Sequence, residues 1–256
     1  MTGTTAIDLA RTLESGQFFR WRRRDDGFLI VTHGRAFVAD DDLRVRGATR
    51  AFADRFFGPD LTEIHQTLER DPLLRPFLVE GLRILRQDPW ECLVSFVTSC
   101  ASNIPRIARN LDSLCASLGE PLPFDARAMP HPRALRDEKL LRRLGFGFRA
   151  RHLVPLAREV ERGALDGLDR LSTDEARVRL VSLPGVGVKV ADCVLLFAYA
   201  RFEAFPIDVH VRRAMTGLCF GGRPAGDRRI REEAARRWGA HAGVAQQHLY
   251  VRARSG

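Results

Sequence analysis

The apolar residues of this 256-residue chain change their period near residue 48, and no other feature restricts the possible folds as much. Up to about residue 46 they alternate or gather in short β-rich runs: Ile7 and Leu9, FFRW at 18–21, FLIVTH at 28–33 and AFVA at 36–39. Asp26-Gly27 and His33-Gly34 separate these runs, and an Asp-Gly pair between alternating apolar residues signals a tight hairpin. This predicts an antiparallel sheet over residues 5–46. From Ala48 the spacing becomes helical, and Gly58-Pro59-Asp60 precedes LTEIHQTLER at 61–70, which reads as a capped helix.

Most of the remaining chain reads as helix. Residues 79–100 predict two helices broken at Asp88-Pro89, and Ile104, Ile107, Leu111, Leu114 and Leu118 line one face of a third. PLPF at 121–124 and MPHP at 129–132 mark a surface connection. Further helices are predicted at 132–144, 149–162, 173–182, 188–200, 208–217, 227–238 and 242–251. A small sheet followed by many helices is an α+β arrangement. Its expected division is a sheet unit at 1–78 and a helical unit at 79–256.

With 45% hydrophobic and 29% charged residues, the composition suits a soluble globular protein. A formal charge of +9 and a pI near 10.3 favour a polyanionic partner. Abundant Ala, Arg and Gly equally suit the composition of a GC-rich genome, so charge alone does not decide. The five cysteines, at 92, 100, 115, 193 and 219, contain no CxxC pair. This argues against a disulfide framework, a zinc site and a four-cysteine iron–sulfur cluster, and favours a reducing compartment. The N-terminus has no basic segment followed by an apolar core, and no run of about 18 apolar residues occurs. The expectation is an intracellular, soluble monomer with no membrane partner, in a bacterial cytoplasm or nucleoid.

Of the 41 basic residues, all but Lys139 and Lys189 are arginine. A guanidinium stays protonated, whereas a desolvated amine can lose its proton and attack carbon. Lys189 lies in LPGVGVKVADC at 183–193. Ser172 and Glu175 form a capping box that starts a helix at about Thr173; Pro184-Gly185 ends it, and a second helix opens at about Val188. Gly185 and Gly187 are both expected to permit positive φ. The result is a helix-hairpin-helix at 173–200, whose turn amides and second helix N-terminus suit a phosphate, although an ordinary Pro-Gly turn has the same sequence.

The macrodipole and burial should both depress the pKa of Lys189, unless it is a solvated side chain or a phosphate contact. Cys193 follows by one helical turn on the same face, either in the site or as a core filler. Asp208, in FPIDVH, stands at a helix start and can cap it while stabilising positive charge on a sugar. His210 suits a phosphate contact or a satisfied polar position.

These residues resemble the helix-hairpin-helix DNA glycosylases, and within them the eukaryotic-type 8-oxoguanine DNA glycosylase branch. SGQFFRW at 15–21, GLRILRQDPWECLVSFVTSC at 81–100, LGFGFRARHL at 144–153 and WGAHAGVAQQHLY at 238–250 resemble segments of that family in the same order. The resemblance implies a helical glycosylase core behind the sheet and a base-excision repair enzyme that excises oxidised purines from damaged double-stranded DNA and cleaves the abasic site. Lys189 falls on the Schiff-base lysine and Asp208 on the catalytic aspartate. Gly16 falls on the glycine whose carbonyl recognises the N7 hydrogen of 8-oxoguanine. Cys193 and Tyr250 fall on the pair that sandwiches the extruded base, Tyr250 standing where the family has phenylalanine, and Gln246 on the glutamine at its Watson–Crick edge.

For DNA contact the resemblance implies Gly185 and Gly187 of the hairpin, His210 on a phosphate, Arg106 and Arg149 on the opposite cytosine, and Phe148 as a wedge. The family's Asn-Asn-Asn reads Ala101, Ser102 and Asn103 here. Asn103 is retained among the DNA-binding residues, while loss of the amide at Ala101 should weaken opposite-base discrimination. No redox cofactor or catalytic metal is implied, only a monovalent cation at the hairpin carbonyls. Two other functions suit the hairpin, a non-catalytic DNA-binding module and a monofunctional glycosylase for alkylated bases. Lys189 counts against the second, and the missing cysteine cluster against an iron–sulfur endonuclease.

Overall fold

The computed structural model describes residues 7–255, so the beginning of the expected sheet at residue 5 lies outside the described residues. Its first element is a helix, α1 (Leu9–Glu14), where alternation predicted a strand. Asp8 accounts for the difference: its carboxylate accepts from Arg11 N–H at 2.8 Å, and Leu9 and Leu13 are buried at helical spacing. Four strands follow, β1 (Trp21–Arg24), β2 (Gly27–Thr32), β3 (Arg35–Ala39) and β4 (Val45–Arg46), forming an antiparallel meander in that order. The β2–β3 turn is His33-Gly34, with φ of 51° and 67°, the backbone a twisted two-residue hairpin requires.

Both faces of the sheet are covered. Phe28, Ile30 and Phe37 pack on Phe56 and Phe57 of helix α2 (Arg50–Phe57). On the other side, Leu29, Val31 and Val38 meet Ala126 and Phe124 of a small hairpin, β5 (Pro121–Leu122) and β6 (Ala126–Arg127), at the expected surface connection. The run FLIV therefore has no solvent face, which is why it does not alternate.

The helices are α3 (Thr62–Leu68), α4 (Pro89–Thr98), α5 (Ile104–Leu118), α6 (Glu138–Leu141), α7 (Ala150–Glu161), α8 (Thr173–Val181), α9 (Val188–Phe197), α10 (Val209–Phe220), α11 (Asp227–Trp238) and α12 (Ala242–Ser255). Residues 79–88 form a turn at 80–81 and an irregular stretch rather than a helix. Their backbone is satisfied from outside: Arg86 N–H donates to Phe56 O, Gln87 N–H to Phe197 O and Leu85 N–H to Gln17 Oε1. Asp88 precedes proline and takes extended angles, then caps α4 by accepting from Glu91 N–H at 3.0 Å. The helix expected over 132–144 is also broken, into a 3₁₀ turn (Pro132–Ala134), α6 and a π turn (Arg142–Phe146), because Gly145 takes φ 91° and Asp137 caps α6 alone.

Helices α4 and α9 are nearly wholly buried and form the centre of the molecule. They run antiparallel: Gln87, before α4, bonds to Phe197 at the end of α9, while Lys189 at the start of α9 bonds to Ser99 at the end of α4. Asp192, fully buried, fixes α9 to its neighbours through Arg177 of α8 at 2.6 Å and Arg231 of α11 at 3.3 Å. No helix among the described residues is long and apolar enough to cross a membrane.

Candidate active site

The hairpin between α8 and α9 is built as its punctuation requires. Ser172 and Glu175 cap α8 reciprocally, and Val186 N–H closes the turn on Leu183 O at 3.1 Å. Only Gly185 uses positive φ, at 77°, and a Cβ there would meet His152 at 2.6 Å. Gly187 takes φ −90°, so the expected positive φ is absent; its position has nothing within 4 Å of where a Cβ would be. It caps α9 without a side chain, leaving the first amides of that helix open to an anion.

Lys189, in the first turn of α9, reaches inward to a cavity of about 880 Å³. Gly16, Asn103, Cys193, Asp208, His210, Gln246 and Tyr250 line the same cavity. The sequence scatters these residues from the first turn to the last helix, and the antiparallel α4–α9 pair gathers them. Gly185, Gly187, Arg106, Phe148 and Arg149 lie outside the cavity wall.

Lys189 Nζ donates to Ser99 Oγ at 3.0 Å and sits 5.1 Å from the centre of the Phe96 ring. Burial pulls its pKa down, as expected, but Cys193, Cys100, Asp208 and Tyr250 outweigh burial and leave it above the ordinary lysine value. Burial itself pushes the Cys193 thiol up to about 12, and Tyr250 is also raised by burial. Burial thus keeps both Cys193 and Tyr250 in the neutral form near pH 7. Asp208 Oδ1 accepts from Val211 N–H at 2.8 Å, capping α10, and its second oxygen has no hydrogen-bond partner among the described residues. The two roles read for it, cap and charge beside the amine, are compatible in one side chain.

The wall opposite α9 is held by buried glutamines. Gln17 Nε2 donates to Ser15 Oγ at 2.8 Å and Arg83 O at 2.8 Å, and Gln247 of α12 donates to Ser15 O at 3.0 Å. These bonds fix the turn at Gly16, where φ is 80° and a Cβ would stand 2.9 Å from the Tyr250 ring. Tyr250 packs edge-to-face with His210 at 5.9 Å, and the Arg254 guanidinium lies 5.6 Å over its ring. Gln246 is 4% exposed, yet its Oε1 has no hydrogen-bond partner. A buried acceptor without a partner beside a cavity is suited to a ligand donor.

Outside the cavity, Phe148 is 48% exposed in the 3₁₀ turn that precedes α7. Arg149 is buried; its Nε donates to Cys100 O and one Nη to Ala101 O at 2.7 Å, with a further bond to Phe146 O. Burial and the nearby charge of Arg106 lower its pKa. Its donors thus hold the turn after α4, where Ala101 takes φ 49°. Arg106 is exposed on α5, which Asn103 caps by accepting its N–H at 3.0 Å.

Residues 2–93 match the family described as 8-oxoguanine DNA glycosylase, N-terminal domain. The Arabidopsis thaliana N-glycosylase/DNA lyase OGG1 is 33% identical over 283 residues, covering 96% of this chain and 77% of that protein. This chain belongs to the 8-oxoguanine DNA glycosylase family. The Saccharomyces cerevisiae N-glycosylase/DNA lyase is 30% identical over 80% of the chain, which spans 66% of that relative's length. The 8-oxoguanine glycosylase/lyase of Clostridium acetobutylicum, solved with DNA bearing cytosine opposite 8-oxoG, superposes with a TM-score of 0.90 at 30% identity, covering 97% of this chain and 92% of that one. Ser99, Gln247 and Arg254 also line the cavity, and Gln17 braces the turn at Gly16 from behind; none of the four is singled out by the sequence. Ser99, Gln17 and Gln247 lie inside motifs already noted, but only the fold brings Ser99 to Lys189 and Gln247 to Ser15.

Proposed function

We propose that this chain is a bifunctional DNA glycosylase and abasic-site lyase that removes 8-oxoguanine and related oxidised purines from duplex DNA. The observation that carries the reading is an amine lining a cavity of about 880 Å³, ample for an extruded purine nucleotide, with Asp208 beside it and an unsatisfied Gln246 acceptor in the wall. A base within the duplex is out of reach, so the nucleotide must be extruded, at a cost of a few kcal/mol. The open hairpin amides, the exposed arginines and Phe148 are disposed to hold the backbone and fill the vacated stack.

In this reading the extruded purine lies between Cys193 and Tyr250, its Watson–Crick edge meets Gln246, and the Gly16 carbonyl accepts the N7 hydrogen that distinguishes 8-oxoguanine from guanine. Lys189 gives up a proton and attacks C1′; the C1′–N9 bond breaks and the base leaves with the electron pair. Asp208 stabilises the positive charge that develops on the sugar. The C1′–O4′ bond then opens, O4′ taking a proton as the nitrogen lone pair forms the imine; the imine acidifies C2′, loss of that proton expels the 3′ phosphate, and water then releases the lysine. His210, Arg106, Asn103, Gly185 and Gly187 contact the DNA. Arg149 supports the opposite-base turn by holding the carbonyls of residues 100 and 101.

Leu183–Val188 offers carbonyl oxygens and no carboxylate, which fits a weakly held monovalent cation at the turn; the chemistry needs no redox cofactor or divalent metal. The sheet unit at 1–78 and the helical unit at 79–256 act together as a monomer inside the cell, in a bacterial cytoplasm or nucleoid. The test uses a duplex with one 8-oxoguanine opposite cytosine. Wild-type protein is expected to release the free base and cleave the strand, in EDTA as without it, and Lys189→Gln to do neither. Binding of the duplex without either product would leave a DNA-binding module.

A further inference from the structure

We propose that Ser99 is the positioning residue for the Lys189 amine, holding its lone pair towards the cavity. The proposal rests on the reading of Lys189 as the nucleophile. Ser99 is the last residue of the α4 turn, and its Oγ lies 2.7 Å from Phe96 O. A carbonyl oxygen can only accept, so the one hydroxyl hydrogen of Ser99 is committed there. Towards Lys189 Nζ, 3.0 Å away, Oγ therefore offers lone pairs and no hydrogen.

That asymmetry has a stereochemical consequence. A neutral amine has one lone pair and two hydrogens, and a hydroxyl free to donate would engage the lone pair and quench it. Ser99 cannot do so; it takes a hydrogen from Nζ instead. The Phe96 ring, 5.1 Å away, occupies a second direction and favours N–H or ammonium over a lone pair on that side. With these two directions filled, the lone pair is turned towards the cavity that Ser99 and Lys189 both line. The relay from Nζ through Oγ ends on a carbonyl at the negative end of α4, so the same contact also favours the ammonium in the resting enzyme. Cys92 and Cys100 face the amine from α4 and its turn, Cys193 from α9, Asp208 from α10 and Tyr250 from α12, and Ser99 is the hydroxyl that bonds it directly.

The test compares wild type, Ser99→Ala and Ser99→Thr by the single-turnover rate of borohydride trapping on an 8-oxoguanine duplex across pH, together with duplex affinity. Ser99→Ala is expected to slow trapping on the order of 10- to 100-fold with affinity unchanged, and to move the acid limb of the profile to lower pH because an acceptor for the ammonium is gone. Ser99→Thr, which keeps the hydroxyl, should restore most of the rate and the wild-type limb. An alanine variant with wild-type rate and limb overturns the proposal, as does a threonine variant no better than alanine. Absence of an adduct with wild type overturns the nucleophile itself, an outcome distinct from either.

Discussion

Gly16 is the residue at which chain geometry and base selection meet. Its φ of 80° is strained for any side chain, and a Cβ would enter the space of the Tyr250 ring. Gly16→Ala is expected to cost about 1 to 2 kcal/mol in folding, from the left-handed backbone. Single-turnover excision of 8-oxoguanine should fall roughly 100-fold or more as the cleft is obstructed, while duplex affinity persists. Ala101 presents the converse case. It already holds φ 49°, a conformation asparagine adopts more readily than alanine, so Ala101→Asn should fold without loss. By adding the amide that this family carries there, it should favour excision opposite cytosine over the other three bases by roughly 1 to 3 kcal/mol, measured on four matched duplexes. Lys189, Asp208 and Cys193 were legible in the sequence because lysine is rare here and the motif is local. Ser99 was not, since its partner is remote in the chain and serine at a helix end has an ordinary capping explanation. The raised pKa of Lys189 was equally hidden: burial could be anticipated from the motif, but the neighbours that outweigh it come from three other elements.

At the scale of elements, α12 supplies both Gln246 and Tyr250, and its seating is sensitive to acid. His248 Nδ1 accepts from Val79 N–H at 3.0 Å, so its proton is on Nε2, which faces His65 Nε2 at 3.1 Å. Burial, with the adjacent His65, lowers the His248 pKa to about 3. The unfolded chain therefore binds a proton that the folded one refuses between about pH 6.5 and pH 3. The stability tied to this group is fully present above pH 6.5 and is lost as pH falls through that window, by at most about 1.4 kcal/mol per pH unit. His248→Asn, which keeps an acceptor for Val79 and removes the titration, should flatten this acid slope in urea unfolding; an unchanged slope would assign it elsewhere. The helix-hairpin-helix was the element best read from sequence, because a capping box and a Pro-Gly stop fix it locally. Leu9–Glu14 and residues 79–88 were misread because a single capping carboxylate decided the first and partners far along the chain satisfied the second.

Across the whole molecule, the sheet and the helical core are joined by an ion pair that few sequence rules would anticipate. Arg20 and Glu91 are 6% and 5% exposed, with Arg20 Nη1 3.5 Å from Glu91 Oε1. Burial raises the Glu91 carboxyl to about 7 against the pull of Arg20. Glu91→Ala leaves the guanidinium buried without its partner and is expected to cost about 3 to 5 kcal/mol in denaturant unfolding. A loss under about 1 kcal/mol would mean that water reaches Arg20. The α+β order of the molecule was legible from the change of apolar period, whereas the β5–β6 hairpin that covers the sheet was not, since Pro121–Leu122 and Ala126–Arg127 are too short to carry a pattern. The same whole-chain view makes the central claim easy to test, because this protein has only two lysines. Wild-type protein reduced with borohydride on an 8-oxoguanine duplex, then digested and mapped by mass spectrometry, should carry the sugar adduct on the peptide containing Lys189. An adduct on Lys139 or the N-terminal amine, with the Lys189 peptide unmodified, would contradict the account.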